Sequence, residues 1–169
     1  EAAVMTHHDF LSPDLASPEA VWRSPLERAL AHAPAGIEDL SRTGVLEVRG
    51  ELDGLDAGSA EVVRLTPARA LVLCPFEDAG RLRARLAGED CLVVDLSAGW
   101  AGLRIRGETL LRRLADLDPD ALPAAGSLGH VHALVLRDEG ETFRVYFPQE
   151  YGHSVAEAVI DAAEGLAKP

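Results

Sequence analysis

Two short stretches place a carboxylate two residues before a hydroxyl. They are Asp39-Leu40-Ser41 and Asp95-Leu96-Ser97, and they lie 56 positions apart (95 − 39). A serine hydroxyl becomes a nucleophile when a base takes its proton, so Ser41 and Ser97 are the first candidates for chemistry. No His or other base stands beside either one in the sequence. The reading is therefore an Asp-x-Ser turn in which side chains bond backbone N–H groups. Asp39 and Asp95 then read as strand-end carboxylates bonded to nearby N–H groups, with ligand binding as the second reading. The chain has no Gly-x-Gly-x-x-Gly fingerprint, no Walker loop and no Gly-x-Ser-x-Gly elbow.

Other chemistry-bearing residues are sparse. His130-x-His132 falls in an expected strand, where alternation puts both rings on one face in a geometry that can bind zinc. A site needs a third ligand, and neither Cys-x-x-Cys nor His-Glu-x-x-His accompanies the pair, so no metal is expected. His7-His8 carries less weight still. Asp116, Asp118 and Asp120 alternate like the start of a calcium loop. Ala121 stands where that loop needs Gly and Ser127 where it needs Glu, so a Pro-rich connection is expected instead. Cys74 and Cys91 border apolar runs and read as buried, reduced core thiols. Trp100, after Gly99, reads as a packing anchor. If exposed, it and Trp22 become partner-interface candidates, because Trp is enriched at interface hot spots.

Hydrophobic periodicity supplies the elements that must position these residues. Ser24-Pro25-Leu26-Glu27 reads as a capping box opening a helix through Leu30 and Ala33, stopped by Pro34 and Gly36. Residues 37–50 read as two strands or one bent strand, with Val45, Glu47 and Arg49 on one face and Leu46 and Val48 on the other. An acidic, Gly-rich turn region fills 51–60. A hairpin follows over 61–65 and 69–74, then a helix capped by Asp78 that carries Leu82 and Leu86 and ends at Gly88. The pattern restarts with strands at 91–97 and 101–106 and a helix from Glu108 to about Leu117. A long strand near 128–137 pairs back with 142–147, and a last helix presents Val155, Val159, Ala162 and Leu166 as a stripe. Such paired strands and helices imply an α+β fold of largely antiparallel sheets. The repeated Asp-Leu-Ser implies two pseudo-repeated halves, about 24–90 and 91–167, within one domain spanning 17–169. A loose arm is expected at 1–16, and 1–4, preceding the only Met, reads as foreign to the fold.

Charge narrows the partners. The 169 residues carry a formal net charge of −12, which disfavours nucleic acid and anionic membrane surfaces, both of which need a basic face. Apolar runs fall far short of a membrane span. No secretory signal is visible, so a cytoplasmic location is expected. Arg supplies almost all the basic charge, Lys168 being the only Lys. With abundant Ala, Leu and Gly, that points to a GC-rich bacterial genome.

Five stretches, read together, resemble a known family. They are RSPLERAL (23–30), RLTPARALVLCP (64–75), VVDLSAGWAGLRIRG (93–107), DLDPDALPAAGSLGHVHALVLR (116–137) and FRVYFPQEYGHSVAEAVIDAAE (143–164). The family is the gamma subunit of heterotetrameric sarcosine oxidase, itself related to the folate-binding domain of the glycine-cleavage T-protein. The resemblance runs from about Ser24 to Gly165. Where the family usually reads Leu-Gly-Pro-Asp-Glu-Trp-Leu-Leu, this chain has Leu65-Thr66-Pro67-Ala68-Arg69-Ala70-Leu71-Val72. It keeps the Pro and the apolar frame and loses the Asp, Glu and Trp, as a divergent member would.

The resemblance implies a non-catalytic accessory subunit with no cofactor of its own, packed on larger flavin-containing chains in one-carbon metabolism. Flavin would sit on the partner, and tetrahydrofolate would accept the one-carbon unit. The alternative is a stand-alone folate-binding or aminomethyltransferase-like protein, with Asp39 or Asp95 in the pocket and Arg104 or Arg106 holding the glutamate tail. An isolated chain is also expected to be able to form a homo-oligomer through its partner face.

Overall fold

The computed structural model describes residues 22–88 and 91–167. The expected arm at 1–16, His7-His8 and Lys168 lie outside the described residues. Among the described residues, nine strands form two antiparallel sheets, and three α-helices cover them. In chain order the strands are β1 (Ile37–Asp39), β2 (Thr43–Gly50), β3 (Glu61–Thr66), β4 (Arg69–Pro75), β5 (Cys91–Asp95), β6 (Trp100–Arg106), β7 (Ala124–Leu128), β8 (Val131–Arg137) and β9 (Thr142–Pro148). The helices are α1 (Ala79–Leu86), α2 (Glu108–Leu114) and α3 (Gly152–Ala167).

The five-stranded sheet has the order β1-β6-β9-β8-β7, and the four-stranded sheet β3-β4-β2-β5. Each therefore contains one strand from the other half of the chain. β1 pairs with β6, with Asp39 opposite Leu103, and β5 pairs with β2, with Asp95 opposite Leu46. With β8, β9 and α3 matched to β3, β4 and α1, the two sheets are related by a pseudo-two-fold exchange. α2 and β7 are additions to the second half.

Period-two alternation places apolar residues on both faces of the central strands, and each face has its own cover. Leu103, Ile105, Phe143, Val145 and Phe147 pack outward against α2, α3 and Leu26. Leu46, Val48, Ala70 and Val72 pack outward against Leu82 and Leu86 of α1. The inner faces meet through Val45, Val63, Leu71, Leu73, Leu134, Leu136 and Tyr146. The result is four layers, helix–sheet–sheet–helices. Burial on both sides explains why the central strands read as near-continuous apolar runs.

Several expected elements are drawn differently. Residues 25–28 form turns followed by a 3-10 helix at Ala29–His32, which ends where Ala33, the residue before Pro34, turns extended. Ser24 Oγ accepts from the Leu26 N–H at 3.0 Å, one residue short of a capping box. Asp78 lies inside the helical run that begins with a 3-10 turn at Phe76, so it does not cap α1. Its carboxylate pairs with Arg81. α2 stops at Leu114. The expected strand at 128–137 is a hairpin instead, because Gly129 adopts φ +61° and turns the chain between β7 and β8. His130 sits in that turn and His132 on β8, both exposed, so they do not share a strand face. Leu166 is 42% exposed at the end of α3 and lies outside its buried stripe.

The Asp-Leu-Ser turns bind the exchange together. Asp39 Oδ1 accepts from Ser41 N–H at 2.8 Å, and Asp95 Oδ1 from Ser97 N–H at 2.9 Å. The Leu40 N–H donates to Gly102 O and the Leu96 N–H to Val45 O, each at 2.8 Å. Each serine hydroxyl then accepts from the same strand its Leu contacts. Ser41 Oγ takes the Gly102 N–H at 3.3 Å, and Ser97 Oγ takes the Val45 N–H at 2.9 Å. Gly102 has to be small here, since a Cβ would stand 2.7 Å from the Tyr146 ring.

Ser97→Ala orphans a buried N–H and is expected to cost about 1–3 kcal/mol. Ser41→Ala, which removes a longer bond, is expected to cost less. Urea unfolding of both variants checks the order, and equal losses would contradict this account of the turns.

Candidate functional site

The inner rims of the two sheets collect most of the buried and half-buried charge. β6 and β9 pair Arg104 opposite Arg144 on the inner face, and β1 places Glu38 opposite Arg104. The turn after β8 supplies Asp138, and β3 of the other sheet supplies Glu61. Arg144 reaches across the sandwich to Glu61 with two bonds, Nη1 to Oε2 at 2.7 Å and Nη2 to Oε1 at 3.1 Å. Its Nε donates to Asp138 Oδ1 at 2.6 Å. Arg104 donates to Glu38 Oε2 at 2.6 Å and lies 3.6 Å from Asp138 Oδ2. Burial alone would lower the Arg144 pKa, but Glu61 and Asp138 overcome it and hold the guanidinium firmly protonated. Beside this knot opens a cleft of about 260 Å³ lined by Leu40, Arg42, Thr43, Leu73, Arg104 and Tyr146 among others. The Tyr146 hydroxyl lies 3.4 Å from Thr43 Oγ1.

A second charge cluster sits at the other end of the inner face. Glu47 is 4% exposed on β2 and faces Arg49 on the same strand and Arg69 on β4. Glu47 Oε1 accepts from Arg49 Nε at 2.7 Å and also from Arg69 Nε. The Arg49 hydrogen bond holds the Glu47 carboxyl below the usual range; burial opposes this and Arg69 adds to it.

Two further hollows lie on the outer faces. One of about 430 Å³ beside α1 is lined by Cys74, Asp78, Arg81 and Arg85 with small residues of the 57–60 loop. Burial, then Asp78, Asp95 and Glu77, pushes the Cys74 thiol up, so it stays protonated and weakly nucleophilic at neutral pH. Both cysteines are free and only partly buried, at the edge of a core cluster and not inside it as expected. The other, an apolar groove of about 160 Å³, runs between α2 and α3 past Leu114, Val131, Val155 and Val159, with His130 at its rim.

The residues singled out from sequence are dispersed. Asp39 and Asp95 are exposed and accept the N–H groups of their own turns. Arg104 lines the inter-sheet cleft, while exposed Arg106 does not. Trp100 is half-buried and packs against the inter-sheet cluster. Trp22 is 43% exposed, with its ring centroid 6.5 Å from that of Phe76 and the Arg42 guanidinium 5.9 Å over its face. Asp118 caps a 3-10 turn at Pro119–Ala121 through the Asp120 N–H. Among the described residues no group of three or more His, Cys, Asp or Glu could hold a metal ion, and no helix is long and apolar enough to cross a membrane. Sequence reasoning missed Arg144, Glu47, Glu61 and Asp138. The signal for two of them was available: Arg144 and Glu47 each interrupt an apolar strand, in TFRVYF and VLEV, where a charge has to find a partner.

No protein-family model and no curated protein sequence matches the chain. Solved structures do. A chain of heterotetrameric sarcosine oxidase from Corynebacterium sp. U-96 superposes with TM-score 0.69 at 20% identity, covering 88% of this chain and 97% of that one. The glycine cleavage system aminomethyltransferase T from Bartonella henselae gives TM-score 0.56 at 18% identity over 80% of this chain, which spans about half (48%) of that protein. A chain from the structure of aspartokinase alpha and beta subunits gives TM-score 0.50 at 12% identity. These likenesses establish the α+β fold, shared with sarcosine oxidase and aminomethyltransferase chains.

Two consequences of the charge clusters are measurable. Arg144→Met strands Glu61, leaves Asp138 with only the longer contact to Arg104, and is expected to cost about 2 kcal/mol, less than a fully buried pair because Glu61 is half exposed. A loss near zero in urea unfolding would show that the cross-sheet bonds add nothing. For Glu47, the folded pKa lies below the unfolded value of about 4.3. Its stabilisation is thus complete above that value and lost as pH falls through the lower folded one. The stability difference between the protein and Glu47→Gln should therefore shrink below about pH 4. A difference independent of pH would rule out the ionised carboxylate as its source.

Proposed function

We propose that this chain is a non-catalytic, gamma-like accessory subunit of a sarcosine-oxidase-type flavoenzyme complex in one-carbon metabolism. The observation that carries the reading is the end-to-end match to a chain of heterotetrameric sarcosine oxidase, 97% of which is covered. A match that covers nearly all of that chain supports a shared domain. The aminomethyltransferase match, by contrast, spans half of a longer protein. The charge network supports the same reading. Arg144 and Arg104 are engaged by Glu61, Asp138 and Glu38, and the two turn serines are hydrogen-bonded to backbone, an arrangement that suits a scaffold. The flavin and the amine site would belong to larger partner chains, and tetrahydrofolate would meet the complex there.

The alternative of a stand-alone folate-binding or aminomethyltransferase-like protein would place folate in the inter-sheet cleft. It requires the glutamate tail to displace Glu38 or Asp138 from Arg104.

A tagged full chain expressed at native level in its own host is expected to bring down a larger flavin-bearing chain in fixed ratio. Recovery of the chain alone sinks the subunit reading. Titration of the isolated protein with tetrahydrofolate then decides the alternative, and concentration-dependent mass reports a homo-oligomer.

A further inference from the structure

We propose that Arg49 and Arg69 form an oxyanion-binding fork seated on the buried carboxylate of Glu47. Both guanidinium groups are anchored through Nε to one oxygen, Glu47 Oε1. Among the described residues, no hydrogen bond uses the Nη atoms of either Arg, although those atoms carry the paired N–H donors that match an oxyanion. The two side chains are 56% and 48% exposed, so the forks open to solvent while their roots are fixed. Anchoring of this kind removes much of the rotamer entropy an exposed Arg would lose on binding.

The local charge points the same way. Among the described residues, two cations share one carboxylate here, within a chain of net charge −12. The pseudo-equivalent rim at Arg104 and Arg144 has three carboxylates for two cations and needs no further anion. At the Glu47 end a second anion would balance the surplus charge of two guanidinium groups held against the same oxygen. Register places Leu92 of the edge strand β5 directly beside Arg49, and Leu92 is 59% exposed. The ligand class is a carboxylate or phosphate oxyanion, either free or a carboxylate side chain on a partner chain. The partner source rests on the subunit reading; the anion site does not.

The full chain is titrated with inorganic phosphate at fixed ionic strength while the Arg Nε–H signals are followed by nitrogen-15 NMR. Saturable movement of the Arg49 and Arg69 signals is expected, with those of Arg104 and Arg144 unmoved. The doubly substituted chain, Arg49→Gln with Arg69→Gln, is expected to bind phosphate at least tenfold more weakly, as judged by its thermal shift. No saturable movement, or equal movement at Arg104, overturns the site. Given the movement, loss of the flavin-bearing chain from a pull-down of the double variant assigns the anion to the partner, and retention assigns a free one. If the unsubstituted chain brings down no partner, the subunit reading fails while the phosphate titration still decides the site.

Discussion

The structure depends on a reciprocal exchange of strands locked by two turns. β1 leaves the four-stranded half to pair with β6, and β5 leaves the five-stranded half to pair with β2. Each crossing occurs at an Asp-Leu-Ser turn. The Asp bonds its own turn, the Leu N–H bonds a carbonyl of the other half, and the Ser hydroxyl takes an N–H of that same strand. The bonded residues, Val45 and Gly102, are equivalent once one extra residue in the second copy is allowed for. A backbone N–H buried without a partner is costly. The turns therefore fix which strand enters which sheet, and the face-to-face packing of the two sheets follows from that choice.

This exchange explains the uneven legibility of the sequence. Elements with strong local signals, such as the β3–β4 hairpin at Thr66-Pro67-Ala68, α1 with Leu82 and Leu86, and the start of α3 after Pro148, are readable because their periodicity is local. The Asp-Leu-Ser turns were readable as turns for the same reason. Their partners were not, because the hydrogen bonds join residues 51 to 62 positions apart, which no window of sequence contains. The split of 128–137 into β7 and β8 was hidden differently. Gly129-His130 interrupts an apolar run without the Asn-Gly or Asp-Gly signature of a tight hairpin.

The charge sites were illegible for a related reason. Arg144 gains its meaning from Glu61, 83 residues away on the other sheet. In the sequence it is one of fifteen arginines and looks like any strand-face charge. Arg104 lines the inter-sheet cleft, but its carboxylate partners Glu38 and Asp138 come from an exchanged strand and a turn. Only the mismatch between a charged residue and its apolar neighbours was visible locally, in VLEV and TFRVYF. That mismatch marks where a partner must exist without saying which.

The pseudo-symmetry makes the remaining asymmetry informative. Glu47 and Arg104 occupy equivalent places on β2 and β6, so the two rims begin from one backbone plan with opposite charge. At the Arg104 rim, β1 is a three-residue edge strand carrying Glu38, and the β8–β9 turn adds Asp138. Carboxylates arrive from three elements, and the rim is closed by its own residues. At the Glu47 rim the corresponding edge strand is β5, which places Val94 opposite Glu47, where β1 places Glu38 opposite Arg104, and Leu92 beside Arg49. An apolar side chain cannot offset two guanidinium groups, and neither can the single Glu47 carboxylate between them. Identical strand pairing has thus produced one rim that is electrostatically satisfied and one that leaves positive charge and an apolar side chain facing outward together. Among the described residues, that end of the sandwich sets two guanidinium groups against one carboxylate, in a chain otherwise rich in acid.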